Sequence, residues 1–208
     1  MENKKKDTMI KDSLILCAIT LIAGLLLGVI YDMTKEPIAQ RKIIEKQNTY
    51  RSVYETAVSF EESEELAAKV SACQSNWDAN GSEFGKVAVN EALYAKDADG
   101  TVIGYIVSAT SKEGYGGDVQ VAMGIRLDGY IEGVSILDMN ETVGLGARAK
   151  EPAFLSQYMN KSVDRFLVIT TGASAENEID AMTSSTITSK AVTNAINAAL
   201  AFVSDYAE

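Results

Sequence analysis

The sequence contains no histidine. That removes Ser-His-Asp and Cys-His catalysis, His-ligated haem and every zinc site that uses imidazole. Cysteine occurs only twice, as Cys17 and Cys73. Two distant thiols cannot supply the four ligands of an iron–sulfur cluster. Cys17 lies inside an apolar run, so no bridge to Cys73 is expected, and the thiol count leaves the redox compartment open. Basic residues are scarce too: 19 Lys and Arg stand against 29 Asp and Glu, a formal net charge of −10. Nucleic acid is therefore excluded as a partner, since binding it needs a basic footprint. Any redox chemistry must rest on a cofactor other than His-ligated haem or an iron–sulfur cluster, and no metal site is expected.

What is present is an ordinary globular balance with one appendage. Of 208 residues, 47% are hydrophobic and 23% charged, which suits one folded domain. The appendage is Ser13 to Tyr31, SLILCAITLIAGLLLGVIY, uninterrupted by charge. At ~1.5 Å per residue it nearly reaches across the ~30 Å hydrocarbon core of a bilayer. It is longer than the apolar part of a signal peptide, and no Ala-x-Ala site follows. An uncleaved anchor is expected. Lys4, Lys5, Lys6 and Lys11 precede it, and Lys35, Arg41, Lys42 and Lys46 follow it. The first cluster is tighter, sits on a short tail and adds the α-amino group. That favours a cytoplasmic N-terminus and an extracytoplasmic domain in the cell membrane. The resulting division is a tail at 1–12, a transmembrane helix at 13–31, a stalk helix at 32–60 and a domain at 61–208.

Within the domain, Glu61–Cys73 reads as an amphipathic helix and Gln74–Gly85 as a loop rich in Asn, Asp, Ser and Gly. Glu91–Lys96, Val102–Ala109, Val119–Ile125 and Ile131–Leu137 are short runs rich in β-branched and aromatic residues. Asp99-Gly100 and Asp128-Gly129 join them in pairs, a hairpin signal because the tight turn needs positive φ. Two hairpins forming a four-stranded antiparallel sheet are expected, with Phe166–Thr170 as a further strand. Glu151–Met159 reads as a short helix with Pro152 in its first turn. A long helix from about Thr188 to Tyr206 closes the chain. The fold class is α+β: an N-terminal transmembrane helix, then an antiparallel sheet with flanking helices.

Three segments carry candidate chemistry. Two are glycine-rich: Lys112 to Asp118, and Asn140 to Gly146. Glycine permits sharp turns and close backbone approach, but neither segment matches a phosphate-loop or dinucleotide fingerprint. Both read equally as irregular loops. The third is Asp180-Ala181-Met182-Thr183-Ser184-Ser185-Thr186-Ile187-Thr188, just before the last helix. Its hydroxyls read as helix caps or as part of an anion site at a helix N-terminus.

Taken in order and spacing, the anchor, the Gly-Tyr-Gly-Gly segment, the Glu-Thr-x-Gly-Leu-Gly segment and the hydroxyl-rich motif resemble the FMN-binding domain family of bacterial respiratory complexes. The likeness covers nearly the whole chain. It is strongest to the G subunits of Rnf complexes, with the C subunits of sodium-pumping NADH:quinone oxidoreductases as relatives. The resemblance implies FMN joined through its phosphate to a threonine by a flavin transferase. In the family the modified motif begins with Asp and ends Ser/Thr-Gly-Ala-Thr. Asp180 and Thr183 to Thr186 match it, with Ser184 and Ser185 replacing Gly and Ala, so Thr186 is the implied attachment residue and Thr188 its nearest rival. Val143 stands where the family often has Pro. The resemblance further implies that Glu141, Thr142, Gly144, Leu145 and Gly146 meet the flavin ring, and that Tyr115 and Gly116 shape the same pocket. There would be no catalytic residue. The implied role is electron relay inside an ion-translocating ferredoxin:NAD⁺ oxidoreductase, with other membrane subunits as partners. The alternatives are a different extracytoplasmic electron-transfer chain, such as the sodium-pumping quinone reductase, or an anchored assembly module without redox chemistry.

Overall fold

The computed structural model describes residues 2–207, so Met1, the head of the expected tail, lies outside the described residues. The chain divides after Glu45 into two compact units. The first is made by α1, a helix over Glu2–Val53 that continues into the second unit. It is long and apolar enough to cross a membrane. Its large apolar side chains from Leu14 to Ile30 are all more than half exposed, so nothing among the described residues buries them. Pro37 sits inside the helix and removes one donor from its ladder.

The second unit is built on an antiparallel meander in the order β1-β2-β3-β4-β5. Its strands are β1 (Ser59–Glu61), β2 (Val87–Lys96), β3 (Val102–Gly114), β4 (Gly117–Arg126) and β5 (Ile131–Met139). Both Asp-Gly turns form where the sequence places them, with Gly100 at φ 80° and Gly129 at φ 76°. The Asp97 carboxylate closes the first by accepting from the Asp99 and Thr101 amides at 3.0 and 2.9 Å. The four expected strands are longer than the sequence suggested, and a fifth, β1, lies where a stalk helix was expected. The helix ends at Val53, and residues 59–61 pair instead with Lys96 to Tyr94 of β2.

Each sheet face has its own core. One takes α4 (Thr186–Phe202), α2 (Glu64–Asn80) and the π-helical turn Val203–Ala207. Ser63 caps α2 by accepting from the Glu65 amide at 3.2 Å, and Glu64 and Glu65 complement its dipole. α2 does not stop at Cys73 as expected but runs on to Asn80. The supposed loop residues satisfy one another at i, i+4 on its outer side, as in Gln74–Asp78 at 2.8 Å, while Trp77 packs inward four residues after buried Cys73. Burial and Asp205 push the Cys73 thiol up to about 11.

The opposite face receives the end of α1. Tyr50, Val53 and Tyr54 pack on Leu93, Ala95, Ile106 and Ala122. Lys46 pairs with Glu91, and the Tyr54 hydroxyl donates to the Ile103 carbonyl at 2.8 Å. Burial pushes that phenol up to about 12. Room for the helix end comes from Gly124, where a Cβ would overlap the Val53 carbonyl oxygen.

Two short strands, β6 (Leu167–Ile169) and β7 (Glu178–Asp180), form a separate parallel pair. The expected extra strand thus exists but does not join the main sheet. Asn197 of α4 holds it away, accepting from the Phe166 amide at 2.8 Å and donating to the Phe166 carbonyl at 2.9 Å. The helix expected over Glu151–Met159 is the shorter α3 (Pro152–Leu155), with Pro152 at its first position, and a 3₁₀ turn, Gly146–Lys150, precedes it.

Candidate functional site

The three candidate segments converge at one end of the domain. The first is not an irregular loop. β3 and β4 pair up to Gly114 and Gly117, leaving only Tyr115 and Gly116 at the turn. A Cβ on Gly116 would collide with the Asn140 carbonyl oxygen, so the absent side chain lets this turn lie against the end of β5. Glu141 then fastens the two segments together. Its Oε1 accepts from the Tyr115 amide at 2.9 Å. A Cβ on Gly146 would stand 2.5 Å from Glu141 Oε2 and 2.7 Å from Thr188 Oγ1, so the same carboxylate is packed toward the start of α4. The Thr142 carbonyl accepts from the Leu145 and Ala147 amides at 3.1 and 3.2 Å, which folds Thr142–Ala147 into a compact turn. Glu141→Ala should free the Tyr115 amide. Hydrogen exchange there is expected to speed up by more than tenfold, with exchange in the middle of β3 unchanged; equal exchange would remove the carboxylate's clasp role.

The third segment forms the entry to α4. The Ser185 amide donates to the Met182 carbonyl at 3.0 Å. The Ser189 hydroxyl donates to the Ser185 carbonyl and accepts from the Met182 amide, both at 3.0 Å. Ser184 is held at φ 64°, a left-handed conformation that glycine takes without strain. This is the position where the resembling motif has Gly. Ser185 is the residue before the helix, Thr186 its first residue.

These segments enclose a cleft of about 580 Å³, within the ~300–1,000 Å³ range of small-molecule sites. Eight sequence-predicted residues line it: Tyr115, Glu141, Thr142, Leu145, Gly146, Ser184, Ser185 and Thr186. Asp180, Thr183, Gly144 and Gly116 do not. Asp180 turns its carboxylate to the Ala173 amide at 2.6 Å, while Gln157 holds its own amide at 2.7 Å. Glu178 beside it accepts from the Ser174 and Ala175 amides and the Ser174 hydroxyl, which hold its carboxyl below the usual range. Both acids order the loop before the motif. Gly116 contributes from behind, through the packing against Asn140.

Two lining residues were not among the expected site residues: Ile187 and Thr188. Ile187 is apolar yet 54% exposed in the first turn of α4, and helix periodicity alone does not single it out, since it shares a face with buried Ala191 four residues on. Tyr115 at 73% and Leu145 at 45% are exposed at the same cleft. One part of the cleft therefore offers apolar surface to a flat ring. Another offers the N-terminus of a 17-residue helix, whose first amides have no intrahelical acceptor, and the buried Ser185 Oγ, which has no hydrogen-bond partner. An aromatic ring carrying a phosphate suits this pair of surfaces, so the residues present fit FMN.

Comparison with known proteins bears on the whole chain. Residues 114–201 match the family model described as the FMN-binding domain, and residues 1–53 match that of the RnfG N-terminal region. The chain is 35% identical over 206 residues to the G subunit of the Na(+)-translocating ferredoxin:NAD(+) oxidoreductase complex of Acetobacterium woodii, covering 95% of each. It is 30% identical over 185 residues to the proton-translocating counterpart of Clostridium ljungdahlii, covering 89% of this chain and 86% of that one. Among solved structures, the C subunit of the Na(+)-translocating NADH-quinone reductase of Parabacteroides distasonis is similar, with 25% identity and a TM-score of 0.46. That match covers 55% of this chain and 61% of the other.

Proposed function

Because the chain belongs to the family of G subunits of Rnf-type ion-translocating ferredoxin:NAD(+) oxidoreductase complexes, we propose that it is a membrane-anchored electron relay carrying FMN covalently on Thr186. The observation that supports this most is the cleft itself. It joins a turn of β3–β4, the Glu141–Gly146 segment and the start of α4, which are far apart in sequence, around one apolar wall and one helix N-terminus.

When bound, FMN supplies one- and two-electron transfer, while the protein supplies position and environment. Tyr115, Leu145 and Ile187 would offer apolar contact to the ring. Ser185 and the first amides of α4 would face the phosphate. Thr186 is half-buried at the first position of α4, so an ester on its Oγ1 starts where the helix dipole favours negative charge. Attachment needs an activated donor, a flavin nucleotide whose phosphate is part of an anhydride. The Thr186 Oγ1–P bond forms as the anhydride P–O bond breaks, the second phosphate-bearing group leaves, and the hydroxyl proton passes to a base of the flavin transferase. A covalent link suits a domain on the outer side of the membrane, where a dissociated flavin is lost. The Lys4–Lys6 cluster before the span supports that orientation. The remaining membrane subunits of the complex are the donors and acceptors. The boundaries at 12 and 31 mark tail and span in this reading, and the helix beyond the span ends at Val53.

The test is direct. The chain is co-expressed with an active flavin transferase, denatured and run on a gel. Flavin fluorescence on the protein band is expected. A dark band, with a control substrate labelled by the same transferase, would remove covalent attachment and leave FMN held without a bond.

A further inference from the structure

Ser185 stands where the resembling motif has Ala, and its side chain has no role in the fold described so far. It is only 7% exposed, and its Oγ is closed to water with no hydrogen-bond partner. A serine before a helix ordinarily caps it by accepting from a first-turn amide; Ser185 makes no such bond. Its backbone is already committed, the amide to Met182 and the carbonyl to Ser189. What remains is a hydroxyl buried just beneath the cleft wall that Ser185 helps to line, adjacent in sequence to Thr186, at the positive end of a 17-residue helix. A buried unpartnered hydroxyl is unfavourable unless something supplies an acceptor. A phosphodiester on the neighbouring Thr186 supplies oxygens that only accept.

We propose that Ser185 is a phosphate-holding residue, its hydroxyl donating a hydrogen bond to a non-bridging oxygen of the phosphodiester that links FMN to Thr186. This rests on attachment at Thr186 and adds to it a donor that alanine cannot provide. The folded chain without flavin bears an unsatisfied group, and the loaded chain satisfies it. Loading therefore stabilises this chain more than it would one with Ala at 185.

The experiment compares wild type, Ser185→Ala and Ser185→Thr, each full-length in detergent, with and without co-expressed transferase. Flavin load is read first by mass; a wild-type chain with no attached flavin overturns attachment at Thr186 and this proposal together. On the loaded fraction, Ser185→Ala is expected to shift the ³¹P resonance by more than its linewidth and to shrink the rise in unfolding midpoint that loading confers. Ser185→Thr, which keeps the hydroxyl, should recover both. Without flavin, Ser185→Ala should unfold at the same temperature or higher, because it removes an unpaired buried group. Unchanged ³¹P position and unchanged loading stabilisation would overturn the proposal while leaving Thr186 attachment standing. A lowered midpoint in the unloaded chain would overturn it in favour of a capping role.

Discussion

Thr186→Val is expected to remove covalent flavin completely, while Thr188→Val leaves it in place. The two substitutions are chemically identical and lie two residues apart, so only position separates them. Thr186 is half-buried at the mouth of α4; Thr188 is 1% exposed, and its Oγ1 packs toward Gly146. A modifying enzyme must bring its donor phosphate to the hydroxyl, and the less buried oxygen is the accessible one. Valine keeps the β-branch and the volume but offers no nucleophile. In the assembled complex, Thr186→Val should also abolish ferredoxin:NAD⁺ oxidoreductase activity, since the relay has no flavin. Flavin fluorescence on the denatured band reads the first effect and turnover in membranes the second. Retained fluorescence in Thr186→Val would place the bond elsewhere.

Gly124→Val is expected to destabilise the domain by about 3 kcal/mol, the upper part of the usual range for forced overpacking. Strand propensity argues the other way, since valine favours a strand interior and glycine weakens it. Packing decides. Gly124 lies mid-strand in β4 under the end of α1, and any Cβ there overlaps the Val53 carbonyl oxygen. Relief requires lifting Val53 and Tyr54 from the sheet, which also costs the Tyr54–Ile103 hydrogen bond of 2.8 Å. Urea unfolding monitored by far-UV dichroism measures it: the midpoint should fall with an unchanged slope. A raised midpoint would mean that the helix end is not seated on the sheet as described.

Local sequence signals decide the structure at the tight turns and along α4. Asp99-Gly100 and Asp128-Gly129 specify turns by backbone sterics alone, and both turns form. The pattern from Ala191 to Val203 specifies a helix buried along much of its length, and α4 is that helix. Elsewhere a distant partner settles the outcome. Gln74 to Asn80 looks like loop by composition, but buried Cys73 and inward-packed Trp77 continue the helix. Ser59–Glu61 carries little signal of its own and becomes a strand because β2 offers an edge. Leu167–Ile169 is strand-like, yet Asn197 binds the chain just before it and keeps it off the main sheet.

The site shows the same division. The glycine-rich and hydroxyl-rich segments were visible as motifs, and the resemblance joined them. That Gly116 and Gly146 are needed to make room for Asn140 and Glu141 is a tertiary fact, invisible in either segment alone. Asp180 illustrates the reverse case. It belongs to the motif by spacing, but its carboxylate serves the Ala173 amide outside the cleft. Motif membership and cleft lining are therefore different properties here. The left-handed Ser184 explains why glycine suits that position and why its replacement carries strain.

The most direct test of a relay built on Thr186 is to locate the flavin. Cleavage after Arg165 and Lys190 releases residues 166–190 as one peptide holding every candidate hydroxyl of the motif. Tandem mass spectrometry of that peptide, from chain matured with an active transferase, is expected to show FMN in phosphoester linkage on Thr186. An unmodified peptide, or flavin mapped to Ser185, Thr188 or any other hydroxyl, would contradict it.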